Sequence, residues 1–113
     1  MLEAGVTFAY VSHSNYDTHN ENFNFHLEQV GEFDKGFSAL IGDLHDRGML
    51  DSTLIVVMGE MGRSPKINSN AGREHWPQCG FSLLAGGGVR HGAVFGQTDK
   101  QAGYPIDNPV SPE

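Results

Sequence analysis

Between His26 and Arg47 the apolar residues of this chain recur mostly at steps of three and four. Leu27, Val30, Phe33, Phe37, Leu40, Ile41 and Leu44 therefore share one face of a helix, while Glu28, Glu32, Lys35, Asp43 and Asp46 fall largely outside it. This predicts a helix over about 25–47. Gly31, Gly36 and Gly42 each lower helix propensity by about 1 kcal/mol relative to Ala, so packing against other elements must supply the stability. Gly48, just after Arg47, is a suitable stop because glycine tolerates the left-handed conformation there.

Short apolar runs flank the helix. "VTFAYV", Val6 to Val11, is β-branched and aromatic and reads as a strand. "TLIVVMG" is too short for an independent helix and reads as a strand at about 53–58, covered on both faces. Strand, helix and strand form a βαβ unit, for which parallel strands and a right-handed crossover are expected. "FSLLA", Phe81 to Ala85, is a third candidate strand, followed by short extended pieces between turns. The expected fold class is α/β, three-layered, with a mostly parallel sheet in one unit spanning 1–113.

Composition narrows the function classes. A hydrophobic share of 38% allows one core. Seven Lys and Arg against 14 Asp and Glu give a net charge of −7, which argues against an extended nucleic-acid footprint. Cys79 stands alone, so no internal disulfide is available and no CxxC pair suggests a zinc knuckle. No apolar run approaches the roughly 20 residues of a membrane span, and the N-terminus lacks a signal-peptide pattern. Location stays open, export of a longer parent included.

In an open α/β sheet, binding residues gather beyond the carboxyl ends of parallel strands. Asp17 and His19 follow the first expected strand, Glu60 follows the second, and His75 lies in the loop before the third. A carboxylate and an imidazole two residues apart share a face, and with a distant histidine they suit a first-row divalent cation. The plainer alternative is that Asp17 or Asn20 caps the helix and His19 is an exposed loop residue. In "VVMGEMGRSP", Arg63 can pair with Glu60 or clamp an anionic oxygen. In "GREHWP", His75 is a candidate ligand with Glu74 beside the metal rather than on it, and Trp76 is a wall of the site or an anchor of the loop. His13, His26, His45 and His91 are weaker candidates. "AGGGVRHG" lacks the Lys-Ser or Lys-Thr ending of a phosphate loop, so close packing or a tight turn explains its glycines better. No GxSxG elbow is present, and Cys79 reads as a small packed residue.

Taken together, "NYDTHNENF", "TLIVVMGEMGRSPKIN", "GREHWP", "LLAGGGVRHGAVFGQTD" and "YPIDNPVSPE" resemble the C-terminal part of the DUF1501 family, which itself looks like a member of the alkaline phosphatase and sulfatase superfamily. The resemblance implies a partial, alkaline-phosphatase-like α/β domain with one or two metal ions beside a Ser, Thr or modified Cys nucleophile. It makes Asp17 and His19 an Asp/His ligand pair and His75 the distal histidine of the same site. It puts Glu60 where relatives have an Asp-His pair, with Met61 unable to serve as the second ligand. Arg63 and Arg73 match the family's Gly-Arg positions and are candidate anion-binding groups. The implied cofactor is a divalent ion (Zn, Mn, Fe or Ca), and the implied substrate of a full-length parent is a phosphate or sulfate ester. The superfamily's nucleophile lies ahead of the matched region. The chain by itself is thus expected to be an inactive hydrolase fragment, prone to self-association through uncovered strand edges. The alternative is a non-catalytic, metal-stabilised binding or structural domain.

Overall fold

The helical period becomes one long helix, α1, Asn22–Asp46, in a computed structural model that describes residues 1–111. The last two residues of "YPIDNPVSPE" lie outside the described residues. Neither Asp17 nor Asn20 caps the helix. The N-cap is Glu21, in the left-handed region at φ 47° and without a side-chain capping bond. Two of the N-terminal amides find partners elsewhere: Glu21 N–H donates to the Asn70 carbonyl at 3.0 Å and Asn22 N–H to that of Ala71 at 2.9 Å. At the other end Gly48 takes φ +66° and its N–H donates to His45 O at 2.9 Å, the role its position suggested.

Strand direction is where the structure departs from expectation. β1, Leu54–Met58, pairs with β4, Ser82–Gly86, and the pairing is antiparallel, from Leu54 opposite Gly86 to Met58 opposite Ser82. β2, Gly62–Arg63, pairs antiparallel with β3, His75–Trp76, and β5, Gln97–Thr98, with β6, Pro105–Asp107. Among the described residues the strands thus form three separate two-stranded antiparallel sheets. The expected three-layer, alkaline-phosphatase-like fold with a mostly parallel sheet is overturned. The physical reason lies between β1 and β4. Parallel strands need a long crossover, usually helical, whereas residues 59–81 carry the β2–β3 ribbon, which doubles back and returns the chain antiparallel to β1. Val6 to Val11 is not a strand either: among the described residues it pairs with no other segment, and Phe8 and Tyr10 are exposed.

Nor is β1 covered on both faces. Leu54, Val56 and Met58, which alternate onto one face, remain 55%, 50% and 64% exposed, while Ile55 and Val57 are half-buried. Along α1, Phe33 and Phe37 stack with ring centroids 5.1 Å apart and Leu44 is buried, but Leu27 is exposed. Leu44 is the one buried hydrophobic side chain among the described residues, whereas Thr18, Asn22, Gln29 and Ser64 are all buried. The Cα radius of gyration is 16.2 Å. A compact chain of this length would have one of about 13 Å, so the molecule is loosely packed. Among the described residues no helix is long and apolar enough to cross a membrane.

Two smaller expectations concern local packing. A Cβ on Gly86 would strike the carbonyls of Thr53 and Leu50, and Gly87 N–H donates to Leu50 O at 2.9 Å, so the glycine run is a close-packed turn. Trp76 acts as an anchor. Its Nε1–H donates to Gly103 O at 2.6 Å and its ring meets Tyr104 edge-on at 5.7 Å, which fastens the β5–β6 hairpin to β3.

Candidate metal centre

Two polar segments with little regular structure meet ahead of α1. In residues 16–19 successive i to i+2 hydrogen bonds, Thr18 N–H to Tyr16 O and His19 N–H to Asp17 O, step the backbone so that Asp17 and His19 turn to one side. Thr18 turns inward, is buried, and donates from Oγ1 to Asn22 Oδ1 at 2.6 Å. The second segment, residues 68–75, runs alongside. Arg73 N–H donates to Thr18 O at 3.0 Å, and the Asn68 amide donates from Nδ2 to His19 O at 2.9 Å. Asn68 Oδ1 in turn accepts the N–H groups of Asn70 and Gly72, each at 2.9 Å, an Asx arrangement that folds the turn back on itself. Gly72 permits the approach, because a Cβ there would run into the His19 carbonyl.

The β2–β3 ribbon supplies the other side. Its register sets Arg63 directly opposite His75, and Ser64, which is buried, extends the pairing through its N–H to Glu74 O at 2.8 Å. The result is a convergence of three side chains. Asp17 Oδ1 lies 3.0 Å from His19 Nε2 and 2.9 Å from His75 Nε2, and the two imidazole nitrogens are 3.3 Å apart. These spacings suit one small cation, since tetrahedral donors at about 2.0 Å from a metal stand about 3.3 Å from one another. The cluster of Asp17, His19 and His75 is therefore able to chelate a metal ion. It is open to solvent, with the three side chains 66%, 43% and 46% exposed, so coordination positions remain for water or ligand.

Charge around the cluster is unevenly disposed. Arg63, only 17% exposed, donates from Nη1 to Asp17 Oδ1 at 2.8 Å. The hydrogen bond from His75, and then that from Arg63, hold the Asp17 carboxyl down at about 2, so it is an anion throughout the neutral range. Glu74 is likewise held below its ordinary value, first by Asn68 and then by His19. Glu60 stands outside the cluster, with Oε1 3.8 Å from Arg63 Nη2. Arg73 donates from Nη1 to the carbonyls of Ser64 and Pro65 at 2.6 and 2.9 Å, bracing the two ends of the β2–β3 connection against each other. His13 lies 3.0 Å from the Tyr16 hydroxyl, and His26 is 2.7 Å from Asn22 O.

Sequence reasoning passed over Asn68 and Gly72. "NSNAG" carries an evident turn signal, from which a loop folded by Asn68 was readable. Its contact with His19 was not, because that depends on how two distant loops meet.

No curated protein sequence and no solved structure matches this chain. A family match does exist, to the family described as "Protein of unknown function (DUF1501)"; it covers residues 1–113, and the chain belongs to that family.

Proposed function

We propose that this chain is a divalent-metal-binding unit in which Asp17, His19 and His75 provide three ligands and the remaining positions face solvent. The observation that carries this reading is the convergence of one carboxylate oxygen and two imidazole nitrogens within 3.3 Å of one another. Two nitrogen donors among three favour Zn, Mn or Fe over Ca, which prefers an all-oxygen shell. The polar loops that carry the ligands bury little apolar surface, so a bound cation also stabilises them by linkage.

Phosphate- or sulfate-ester hydrolysis is the finer form of the proposal. A divalent cation supplies Lewis-acid polarisation of a phosphoryl or sulfuryl oxygen. Arg63, which donates from Nη1 to Asp17 Oδ1, is in this reading the group that would hold an anionic oxygen next to that cation. No residue of the chain is assigned as nucleophile, and the 113-residue chain is expected to show no turnover of aryl phosphates or aryl sulfates. The rival form, a metal-stabilised binding or structural domain, needs only the three ligands. Association of copies through the uncovered edges of β1 and β4 belongs to the same proposal. A monomer mass by light scattering at high concentration would remove that part.

Equilibrium dialysis against Zn²⁺ or Mn²⁺ followed by metal analysis tests the core of the reading. About one ion per chain is expected, with near-complete loss in Asp17→Ala and in His75→Ala. Unchanged stoichiometry in both variants would refute it.

A further inference from the structure

One carboxylate beside the cluster has no part in the ligand set. Glu74 Oε2 lies 2.7 Å from His19 Nδ1, on the ring nitrogen that does not face Asp17 and His75. Its other oxygen, Oε1, accepts from Asn68 Nδ2 at 2.6 Å, and that same amide nitrogen donates to the His19 carbonyl at 2.9 Å. Asn68 is itself fixed through Oδ1 by the N–H groups of Asn70 and Gly72. Glu74 is thus held from one side by a residue that grips both its carboxylate and the backbone of the histidine it touches.

A carboxylate only accepts hydrogen bonds, so the proton in the Glu74–His19 contact belongs to Nδ1. In the neutral ring this leaves the lone pair on Nε2, the atom 3.0 Å from Asp17 Oδ1 and 3.3 Å from His75 Nε2. We propose that Glu74, braced by Asn68, is a positioning residue of the metal centre: it holds His19 in the Nδ1–H tautomer and so presents Nε2 to the cation. This rests on the metal-binding reading above. It also assigns the two histidines opposite tautomers in the metal-free chain. With His19 Nε2 an acceptor, the donor to Asp17 Oδ1 is the Nε2–H of His75, 2.9 Å away. A carboxylate behind a ligand histidine also raises the basicity of the ring, and losing such a partner typically weakens metal binding by about 10- to 100-fold.

Two measurements on the 113-residue chain test the assignment. The first is long-range ¹⁵N–¹H correlation of the histidine rings in metal-free wild-type protein at about pH 8, above the ordinary histidine range. It should give Nδ1–H for His19 and Nε2–H for His75; Nε2–H for His19 would overturn the proposal without any variant having to fold. The second is Zn²⁺ affinity by competition with a chromogenic chelator. Glu74→Gln keeps the side chain's shape and should weaken binding by about 10-fold and Glu74→Ala by up to about 100-fold. Wild-type affinity in both Glu74 variants, with binding abolished by Asp17→Ala and His75→Ala, would defeat the role of Glu74 and leave the metal site standing. Binding unaffected by Asp17→Ala and His75→Ala would instead bring down the metal reading, and the positioning role with it.

Discussion

The β1–β4 ribbon and the loops around Asp17 and His19 are built from opposite kinds of residue. The ribbon is the most apolar part of the chain, and yet Leu54, Val56, Met58 and Leu84 are exposed. The loops are polar, and they contain the buried Thr18, Ser64 and Gly72, with Asn22 buried at the start of α1. Order around the site comes from directional hydrogen bonds, each worth about 0.5–1.5 kcal/mol net, together with one close backbone approach at Gly72. The site should therefore respond sharply to changes of shape or hydrogen-bonding partner and weakly to changes in apolar area, and the ribbon face should respond to neither.

The largest stability effect is expected where a hydrophobic side chain is actually enclosed. Leu44→Ala should lower unfolding free energy by about 2–4 kcal/mol. Leu27→Ala, on the same helix but exposed, should stay within about 0.5 kcal/mol. Urea titrations followed by circular dichroism measure both, and similar losses in the two variants would mean that Leu44 is not the anchor of α1.

Gly72→Ala comes next. The added methyl meets the His19 carbonyl, and relief of such an overlap costs about 1–3 kcal/mol. Because relief means moving the loop that carries Glu74 and His75 away from His19, Zn²⁺ affinity should fall at least about 10-fold. Wild-type zinc affinity in this variant would show that the two loops do not position the ligands jointly.

Met58→Lys tests the other side of the comparison. Met58 lies on the exposed face of β1, so the charge should change stability by no more than about 0.5 kcal/mol and leave zinc binding alone. A loss of several kcal/mol would reveal that this face is covered in solution.

The smallest effect is electrostatic. The Asp17 carboxyl titrates near 2 in the folded chain, against an ordinary value of 3.8. A lowered folded value means that its pairing with His75 and Arg63 contributes stability above the ordinary carboxyl range and loses it as pH falls through about 2. Carboxyl ¹³C shifts of the metal-free chain should give that midpoint, and Arg63→Met should raise it. A wild-type midpoint at or above 3.8 would contradict the contacts described.

Much of this contrast was legible in the residues, and the part that was not has an identifiable cause. The 3.6-residue period over Leu27 to Leu44 located the helix to within a few residues, because periodicity is a local property. The spacing of Asp17 and His19 put both on one side of the chain for the same reason. Strand direction is not local: "TLIVVMG" reads the same whether its neighbour runs parallel or antiparallel, and the deciding feature was the doubling back of residues 59–81. "VTFAYV" has strand composition but no partner strand among the described residues, which composition does not reveal. The roles of Asn68 and Gly72 depend on a contact with His19 across two loops, and nothing in either loop alone announces it.

The central claim is that His19 and His75 bind one cation together with Asp17. Zinc K-edge X-ray absorption on the chain loaded with one equivalent of Zn²⁺ tests it most directly. The expected spectrum has a first shell of nitrogen and oxygen at about 2.0–2.1 Å, with the outer-shell scattering of two imidazole rings. A shell containing sulfur from Cys79 at about 2.3 Å, or one with no imidazole scattering, would contradict the account.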